Sequence, residues 1–438
     1  MTVTNAPKIV TRHLGNPESW TLKSYLDADG YQGLRKALTM AREDVHEEVK
    51  KASLLGRGGA GFPAGQKWSM LRKAEPPPPI YLVVNGDESE PATFKDHMLI
   101  EQDPHQIIEG ALITAYVIGA AQAFIYIRGE FALGLERMTH ALNEAYEYGA
   151  VGKDIFGSGW SIDVVIHPGA GAYICGDETG LLESLEGKRG FPRIKPPFFP
   201  AAFGLYQAPT VVNNVETMSN IPWVVMNGGD AFASYGDNRS RGTRLFSIAG
   251  HVNKPGNYEV EMVKTTFGDL FYAPVYGGGI RHGRALKAFI PGGASSYWFG
   301  PDKLDVPLDQ DEVGKLGTML GSGSIVAMDE TTCMVRAAWR ITRFFHAESC
   351  GQCTPCREGA GWLDKILQRI EAGRGREADL DLLLDACDNI APGLTWPPKQ
   401  TTICPLGPSI PSSIVSAIRM FRDEFYVHIK EGACPHGS

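Results

Sequence analysis

Ile80-Tyr81-Leu82-Val83-Val84-Asn85-Gly86-Asp87-Glu88-Ser89-Glu90-Pro91 passes from five apolar residues directly into a polar, acidic run. Two more apolar runs end the same way. Ala123-Phe124-Ile125-Tyr126-Ile127 leads into Arg128-Gly129-Glu130, and Ile162-Asp163-Val164-Val165-Ile166 leads into the glycine-bearing stretch from Pro168 to Glu178. Helical patterns lie between and after them, from Asp96 to Ala121, Leu133 to Tyr148 and Glu178 to Leu185. Strands alternating with crossover helices predict a parallel sheet covered on both faces. In such sheets ligands bind beyond the carboxyl ends of the strands, so the three loops are expected to share one site.

Outward from this core the texture changes twice. Before it, Leu22 to about Leu55 is helical and charged. After Gly242 come short β-like runs at Leu245–Ala249 and Tyr258–Val263, joined by a turn around Asn253-Lys254-Pro255-Gly256-Asn257, then a helix at Phe267–Tyr272 and a strand at Ala288–Ile290. This reads as a small α+β domain with no sign of catalysis. From Thr331 the chain is helical again: Trp362, Leu363, Ile366, Leu367 and Ile370, and then Ile414, Ile418, Phe421, Phe425 and Ile429, follow helical spacing as core faces of a bundle. The expected divisions are 1–70, 71–240, 241–330 and 331–438.

The length, 438 residues, is too great for a single core, and 43% hydrophobic with 21% charged residues is ordinary for a globular protein. A net charge of -8 without a basic stripe argues against a nucleic-acid partner. Met1–Lys8 contains no apolar core of a secretory signal, so the eight cysteines are expected in a reducing compartment such as the cytoplasm. The apolar stretch from Ile107 to Ile127 carries Glu109 and Gln122, and its strictly apolar middle is too short to cross a bilayer. It reads as a buried helix running into a buried strand.

The chemistry is concentrated in Glu348-Ser349-Cys350-Gly351-Gln352-Cys353-Thr354-Pro355-Cys356-Arg357, with a distant Cys404 before Pro405. Three thiolates at C-x2-C-x2-C spacing plus a fourth from elsewhere suit an iron–sulfur cube. Structural zinc, the competing reading, more often takes two separated ligand pairs. Cys175, Cys333, Cys387 and Cys434 read as buried small hydrophobes, away from ligand spacing.

Gly56-Arg57-Gly58-Gly59-Ala60-Gly61-Phe62-Pro63-Ala64-Gly65-Gln66-Lys67-Trp68 contains G-x-G-x-x-G, but it follows a helical pattern where the dinucleotide fingerprint follows a strand, and it lacks the Lys-Ser/Thr ending of a P-loop. Its glycines still let a ligand approach the backbone and expose successive N–H groups to an anion. A flexible surface loop would not need Phe62, Lys67 and Trp68. Because hydride arrives as an electron pair and an iron–sulfur centre takes single electrons, a flavin is expected between the two, with the loop and Lys67 holding its phosphate or balancing a reduced ring.

These segments occur in one order with Asn85–Pro91, Ala172-Tyr173-Ile174-Cys175-Gly176-Asp177-Glu178-Thr179 and Val212-Asn213-Asn214-Val215-Glu216-Thr217. In that order the sequence resembles the NADH-binding flavoprotein subunits of respiratory complex I (the F subunits of NADH-quinone oxidoreductases) over nearly its whole length. The resemblance implies a Rossmann-like α/β domain for FMN and NADH, a ubiquitin-like β-grasp domain and a C-terminal helical bundle carrying a [4Fe-4S] cluster. It implies Cys350, Cys353, Cys356 and Cys404 as cluster ligands. It places Gly56, Arg57, Gly58, Gly59, Lys67, Asn85, Asp87, Ser89, Tyr173, Gly176, Glu178, Asn213, Asn214 and Thr217 at the flavin, and Glu90, Phe62, Lys195 and Phe198 towards NADH. Glu90, Glu178 and Asp177 would bind ribose or carboxamide groups and repel the extra phosphate of NADPH, and Glu90 and Glu178 are the expected catalytic positions. Relatives usually read Gly-Glu-Glu-Thr where this sequence has Gly176-Asp177-Glu178-Thr179, which shortens the reach of the first carboxylate.

The implied activity is hydride transfer from NADH to FMN, then single-electron transfer to the cluster and onward to quinone, with Arg357 raising the cluster potential. The implied setting is the cytoplasmic face of the membrane, beside a thioredoxin-like [2Fe-2S] subunit and a large iron–sulfur subunit. Two alternatives remain open on the residues. Related flavoproteins of NAD-linked hydrogenases or formate dehydrogenases share the chemistry, but many carry added cysteine modules that this sequence, ending at Ser438, does not show. A zinc-stabilised β-grasp binding scaffold without redox work is the other.

Overall fold

The computed structural model describes residues 6–436; Met1–Asn5, part of the argument against a secretory signal, and the Ser438 end lie outside the described residues. Four parallel strands form the first sheet in the order β3-β2-β1-β4: β1 (Tyr81–Gly86), β2 (Gln122–Ile127), β3 (Val164–Pro168) and β4 (Thr210–Asn214). The first three are the expected strands; β4 is additional to them. It matters because strand order reverses between β1 and β4, which opens a crevice at their carboxyl ends.

Alternation along the strands explains why they read as continuously apolar. Leu82, Val84, Ala123, Ile125, Ile127 and Val211 face one core; Val83, Phe124, Tyr126 and Val212 face another. The first core is built with α5 (Lys95–Gln102), α6 (Pro104–Ile118), α7 (Ala132–Glu147) and α10 (Val215–Asn227), and with the amino-terminal helices α1 (Leu22–Asp27), α2 (Gln32–Leu38), α3 (Arg42–Lys51) and α4 (Ala64–Ser69). The second core joins the opposite face to α8 (Glu178–Leu185) and to the carboxyl-terminal bundle of α14 (Met334–Glu348), α15 (Thr354–Glu371), α16 (Asp379–Ile390) and α17 (Leu406–Glu431). The bundle thus closes the sheet. Short helices α9 (Pro200–Phe203) and α11 (Gly229–Ala233) complete the layer.

A two-residue ribbon, β5 (Gly236–Asp237) with β6 (Ser240–Arg241), leads into the second sheet. Its order is β8-β7-β10-β9, from β7 (Thr243–Gly250), β8 (Gly256–Glu261), β9 (Leu286–Ile290) and β10 (Ser324–Asp329), with the first and last strands central and parallel. Helix α12 (Phe267–Tyr272) supplies Phe267, Leu270 and Phe271 to its core, the β-grasp arrangement, and α13 (Gln310–Lys315) adds Val313.

Three local expectations are corrected. The single helix from Asp96 to Ala121 is two helices, since Pro104 lacks an N–H and starts α6 while Asp103 leaves helical geometry. Trp362 is 60% exposed, so it is not a core position, although Leu363, Leu367 and Ile370 beside it are buried. Phe421 leaves helical geometry and interrupts α17.

The stretch from Ile107 to Ile127 is a buried helix followed by β2, and among the described residues no helix is long and apolar enough to cross a membrane. Glu109 within it accepts hydrogen bonds from the Tyr25 hydroxyl, from the Tyr31 N–H at 2.9 Å and from the Leu34 N–H at 2.8 Å. One buried carboxyl thereby fastens the amino-terminal helices to the sheet domain. Glu109→Ala would strand three buried donors and is expected to lower unfolding free energy by roughly 3–5 kcal/mol, with Glu109→Gln losing less; an unchanged denaturation midpoint in Glu109→Ala would contradict this anchoring role.

Candidate functional site

The loops after β1, β2 and β3 meet, as expected, and β4 contributes a fourth. Asn85 donates from Nδ2 to the Gly176 carbonyl at 3.0 Å and accepts the Asp87 N–H at 3.0 Å, tying the first loop to the third. Ser89 donates to Asp87 at 3.2 Å and receives Arg128 from the second loop. Gly129 lies so close to the Gly169 carbonyl that a Cβ would sit 2.2 Å from its oxygen. Backbone contact at that distance requires glycine.

The glycine-rich segment folds back on itself, with Gly56 N–H donating to the Phe62 carbonyl at 2.9 Å and Ala64 N–H to that of Leu54 at 2.9 Å. Gly59 and Gly61 have φ of +131° and +64°, which side chains resist. The loop lies over the end of β4, where a Cβ on Gly58 would meet the Asn214 Cβ at 3.2 Å. Arg57 is placed differently from its neighbours: its side chain is 1% exposed and donates to the carbonyls of Arg241 and Thr243 at 3.0 and 2.8 Å. Its own N–H donates to Thr217 Oγ1 at 2.9 Å. The Arg57 guanidinium and the Thr217 hydroxyl therefore set the loop's position, leaving Arg57 only backbone to offer a ligand.

Lys67, on α4, donates to the Val212 carbonyl at 2.8 Å and to Glu178 at 2.9 Å. Lys195 lies 3.5 Å from both Asp177 and Glu178. Burial pushes the Glu178 carboxyl up, but the two lysines outweigh it and hold it below the ordinary glutamate range. Asp177 has one oxygen committed to capping α8, accepting the N–H groups of Thr179 and Gly180 at 2.9 and 3.1 Å. The shorter carboxylate reaches that cap.

Glu90 accepts from the Tyr173 hydroxyl at 2.6 Å and from the N–H and hydroxyl of Ser295 at 2.8 and 2.7 Å. Ser295 lies outside the residues expected from the sequence. Its signal is present in Gly292-Gly293-Ala294-Ser295-Ser296 directly after a strand, and Gly293 (φ +98°) lies where a Cβ would meet the Glu90 carboxylate at 2.7 Å. Glu88 is buried and accepts the N–H groups of Asp96 and His97 at 2.9 and 2.8 Å, capping α5. Phe62 and Phe198 are 45% and 37% exposed.

Two buried polar atoms among the expected flavin positions, Asp87 Oδ1 and Asn213 Nδ2, have no hydrogen-bond partner. Such atoms cost free energy unless a ligand satisfies them. Burial pushes the Asp87 carboxyl up to about 7, against the pull of Arg128. With glycine backbone, an ammonium and a buried amide, the donor set fits a phosphorylated, hydrogen-bonding ligand.

The cysteines lie on the bundle side. Cys350 and Cys353 occupy the connection from α14 to α15, Cys356 is in the first turn of α15, and Cys404 stands just before α17. Two helix N-termini therefore begin at the cluster, where their partial positive charge favours thiolates. Burial pushes Cys356 to about 11 and Cys404 to about 12, with neighbouring sulfurs raising both further, so a strongly cationic occupant is needed to hold these two ionised. Zinc in a tetrahedral thiolate site brings sulfurs to about 3.8 Å of each other. The one group of His, Cys, Asp or Glu among the described residues with ligand atoms all within 4.8 Å lies elsewhere. Arg357 donates to the Gly351 carbonyl at 2.9 Å and pairs with Glu358 at 2.8 Å, bracing the cysteine loop.

The crevice and the cysteines adjoin. Tyr173, bound to Glu90 through its hydroxyl, donates its N–H to Glu348 at 3.0 Å and packs edge-on against Phe344 and Phe345 of α14. Glu348 is two residues from Cys350. Of the other cysteines, Cys175 and Cys387 are buried as expected. Cys333 and Cys434 are not mere fillers: Cys434 is partly exposed, and Cys333 caps α14 by accepting the Arg336 N–H at 3.3 Å.

Residues 49–223 match the family model described as a Nuo51 FMN-binding domain, and residues 336–428 match an NADH-ubiquinone oxidoreductase-F iron-sulfur binding region. The F subunit of the NADH-quinone oxidoreductase of Mycobacterium tuberculosis (strain ATCC 25618 / H37Rv) is 49% identical over 98% of this sequence and 94% of its own length. The F 2 subunit of the same enzyme in Rhizobium meliloti (strain 1021) is 47% identical over 98% of this sequence and 99% of its own. Among solved structures, one polypeptide of an NAD+-reducing [NiFe]-hydrogenase in the H2-reduced state superposes with a TM-score of 0.81 at 31% identity, covering 99% of this protein and 69% of that one.

Glu178, with its depressed pKa, contributes stability that is complete above the unfolded value and is lost as pH falls through the folded one. Lys67→Met removes the nearer cation, so acid unfolding of the protein is expected to begin at a higher pH. An acid transition at the wild-type position would show that the Lys67–Glu178 pair does not hold the site together.

Proposed function

The protein belongs to the family of F subunits of NADH-quinone oxidoreductases, and from that membership we propose how its residues share the work. Its activity is NADH oxidation at the electron-input end of respiratory complex I, using FMN and a [4Fe-4S] cluster to pass electrons towards quinone. The observation that carries this reading is the direct contact of the crevice with the cysteine loop through Tyr173 and Glu348. FMN, when bound, would supply a carrier that accepts one hydride, an electron pair, from NADH and can release electrons singly, as an iron–sulfur centre requires.

Lys67, the backbone of Gly56, Arg57, Gly58, Gly59 and Gly176, and the side chains of Asn85, Asp87, Ser89, Tyr173, Asn213 and Asn214 would hold the flavin, with Asp87 Oδ1 and Asn213 Nδ2 gaining the partners they lack. Thr217 acts through the Arg57 N–H. Glu90 and Glu178 face the nucleotide; Tyr173 and Ser295 fix the first, and Lys67 and Lys195 keep the second ionised. Hydride transfer needs no protein acid or base, so these carboxylates orient NADH and oppose a further phosphate. Phe62 and Phe198 offer exposed rings to adenine. Cys350, Cys353, Cys356 and Cys404 bind the cluster.

Segments 71–240, 241–330 and 331–438 read as the flavin, β-grasp and cluster units, with 1–70 wrapped onto the first. As part of a multi-subunit oxidoreductase, the protein works with other subunits. Our reading places a thioredoxin-like [2Fe-2S] subunit and a large iron–sulfur subunit next to it, on the cytoplasmic face of the membrane. The hydrogenase flavoprotein reading retains the structural likeness, but the relatives at higher identity are complex I subunits.

Cys353→Ala is expected to abolish the cluster's paramagnetic resonance signal and brown absorbance while NADH:ferricyanide activity persists; loss of both with flavin retained would overturn the proposed order of carriers. Glu90→Gln is expected to raise KM for NADH about tenfold, equivalent to about 1.4 kcal/mol, with flavin content unchanged. Flavin loss in that variant would move Glu90 to the other ligand.

A further inference from the structure

The bundle has a second cluster at the end away from the cysteine loop. Cys350 follows the carboxyl end of α14, and Cys333 caps its amino end, about 22 Å away along fifteen helical residues. Glu371 ends α15, His428 is in the last turn of α17, and Cys434 lies in the tail beyond it. Their ligand atoms all lie within 4.8 Å of one another. We propose that Cys333, Glu371, His428 and Cys434 bind a single zinc-class divalent cation that closes this end of the bundle.

The geometry suits that ion. Zinc–ligand bonds of about 2.0–2.3 Å give tetrahedral edges of about 3.3–3.8 Å. Cys333 Sγ lies 3.3 Å from His428 Nε2 and 3.8 Å from Glu371 Oε2, two edges of that size. The imidazole of His428 is fully buried, with Nε2 turned to Cys333 and Nδ1 3.6 Å from Glu371. Burial, with Glu371 and Cys434 adding to it, pushes the Cys333 thiol up to about 12. Two thiolates and a carboxylate repel one another when ionised together, and a dication reverses that.

Thiolate and imidazole donors select zinc over magnesium or calcium. Four protein ligands leave no open position, so the site is structural. Glu371 already has its other oxygen oriented by the Arg336 guanidinium, as the outer partner of a metal ligand commonly is. Since the four donors come from the start of one helix, the ends of two others and the tail, the ion would pin residues after Gly432 to the bundle without touching the crevice.

The test uses the full-length, cluster-loaded protein, dialysed against EDTA, supplied with Zn2+ alone and freed of excess. Wild type is expected to retain zinc stoichiometrically, with a zinc-edge X-ray absorption first shell of two sulfur and two lighter ligands. Cys434→Ser, which alters the tail outside any helix, and His428→Gln should weaken zinc binding by at least about 100-fold while iron and labile sulfide stay at wild-type levels. The proposal is overturned if wild type retains no zinc, if both variants retain as much as wild type, or if Cys333 and Cys434 are recovered as a disulfide in the reduced-purified protein.

Discussion

Lys95 is buried between two carboxylates, 2.8 Å from Asp96 and 2.8 Å from Glu216, and the crevice is built around that triad. Asp96 also receives the Asn214 amide at 2.5 Å, and Glu216 accepts the N–H of Leu245 at 2.9 Å. The amino ends of α5 and α10, the end of β4 and the first strand of the small sheet are thereby joined at one buried point. Burying charge is tolerable only when partners are complete, and deleting one member of such a set commonly costs roughly 3–5 kcal/mol. The cluster of charges is a specification of geometry more than a source of stability: it fixes where the strand order reverses, and the crevice follows.

The same economy of position joins two chemistries. Cores on opposite faces of one sheet place the bundle against the loops that line the crevice, so a single side chain, Tyr173, touches both. Two helices start at the cysteines and supply partial positive charge where thiolates are needed. Neither arrangement asks for a flexible element.

Much of this is legible in the residues alone because strongly apolar runs bounded by polar loops have few interpretations. β1, β2 and β3, the α12 helix and the cysteine set follow from local pattern. β4 escapes because only Val211 and Val212 are apolar before two asparagines, and those asparagines are what the site uses. β10 escapes because its pairing with β7 spans most of the small domain. Pro104 marks the helix break openly, but the apolar continuity around it masks the signal. The role of Glu88 is hidden because an acid in a loop and an acid capping a buried helix have the same sequence. Ser295 and the pairing of Cys333 with Cys434 depend on contacts between distant segments, which no spacing rule reaches.

Arg57 gives the glycine-rich loop a mechanical property. Its guanidinium is plugged into carbonyls at the entry to the β-grasp sheet, while the next residue, Gly58, rests against Asn214. One guanidinium therefore sets the small sheet and the rim of the crevice in a common register.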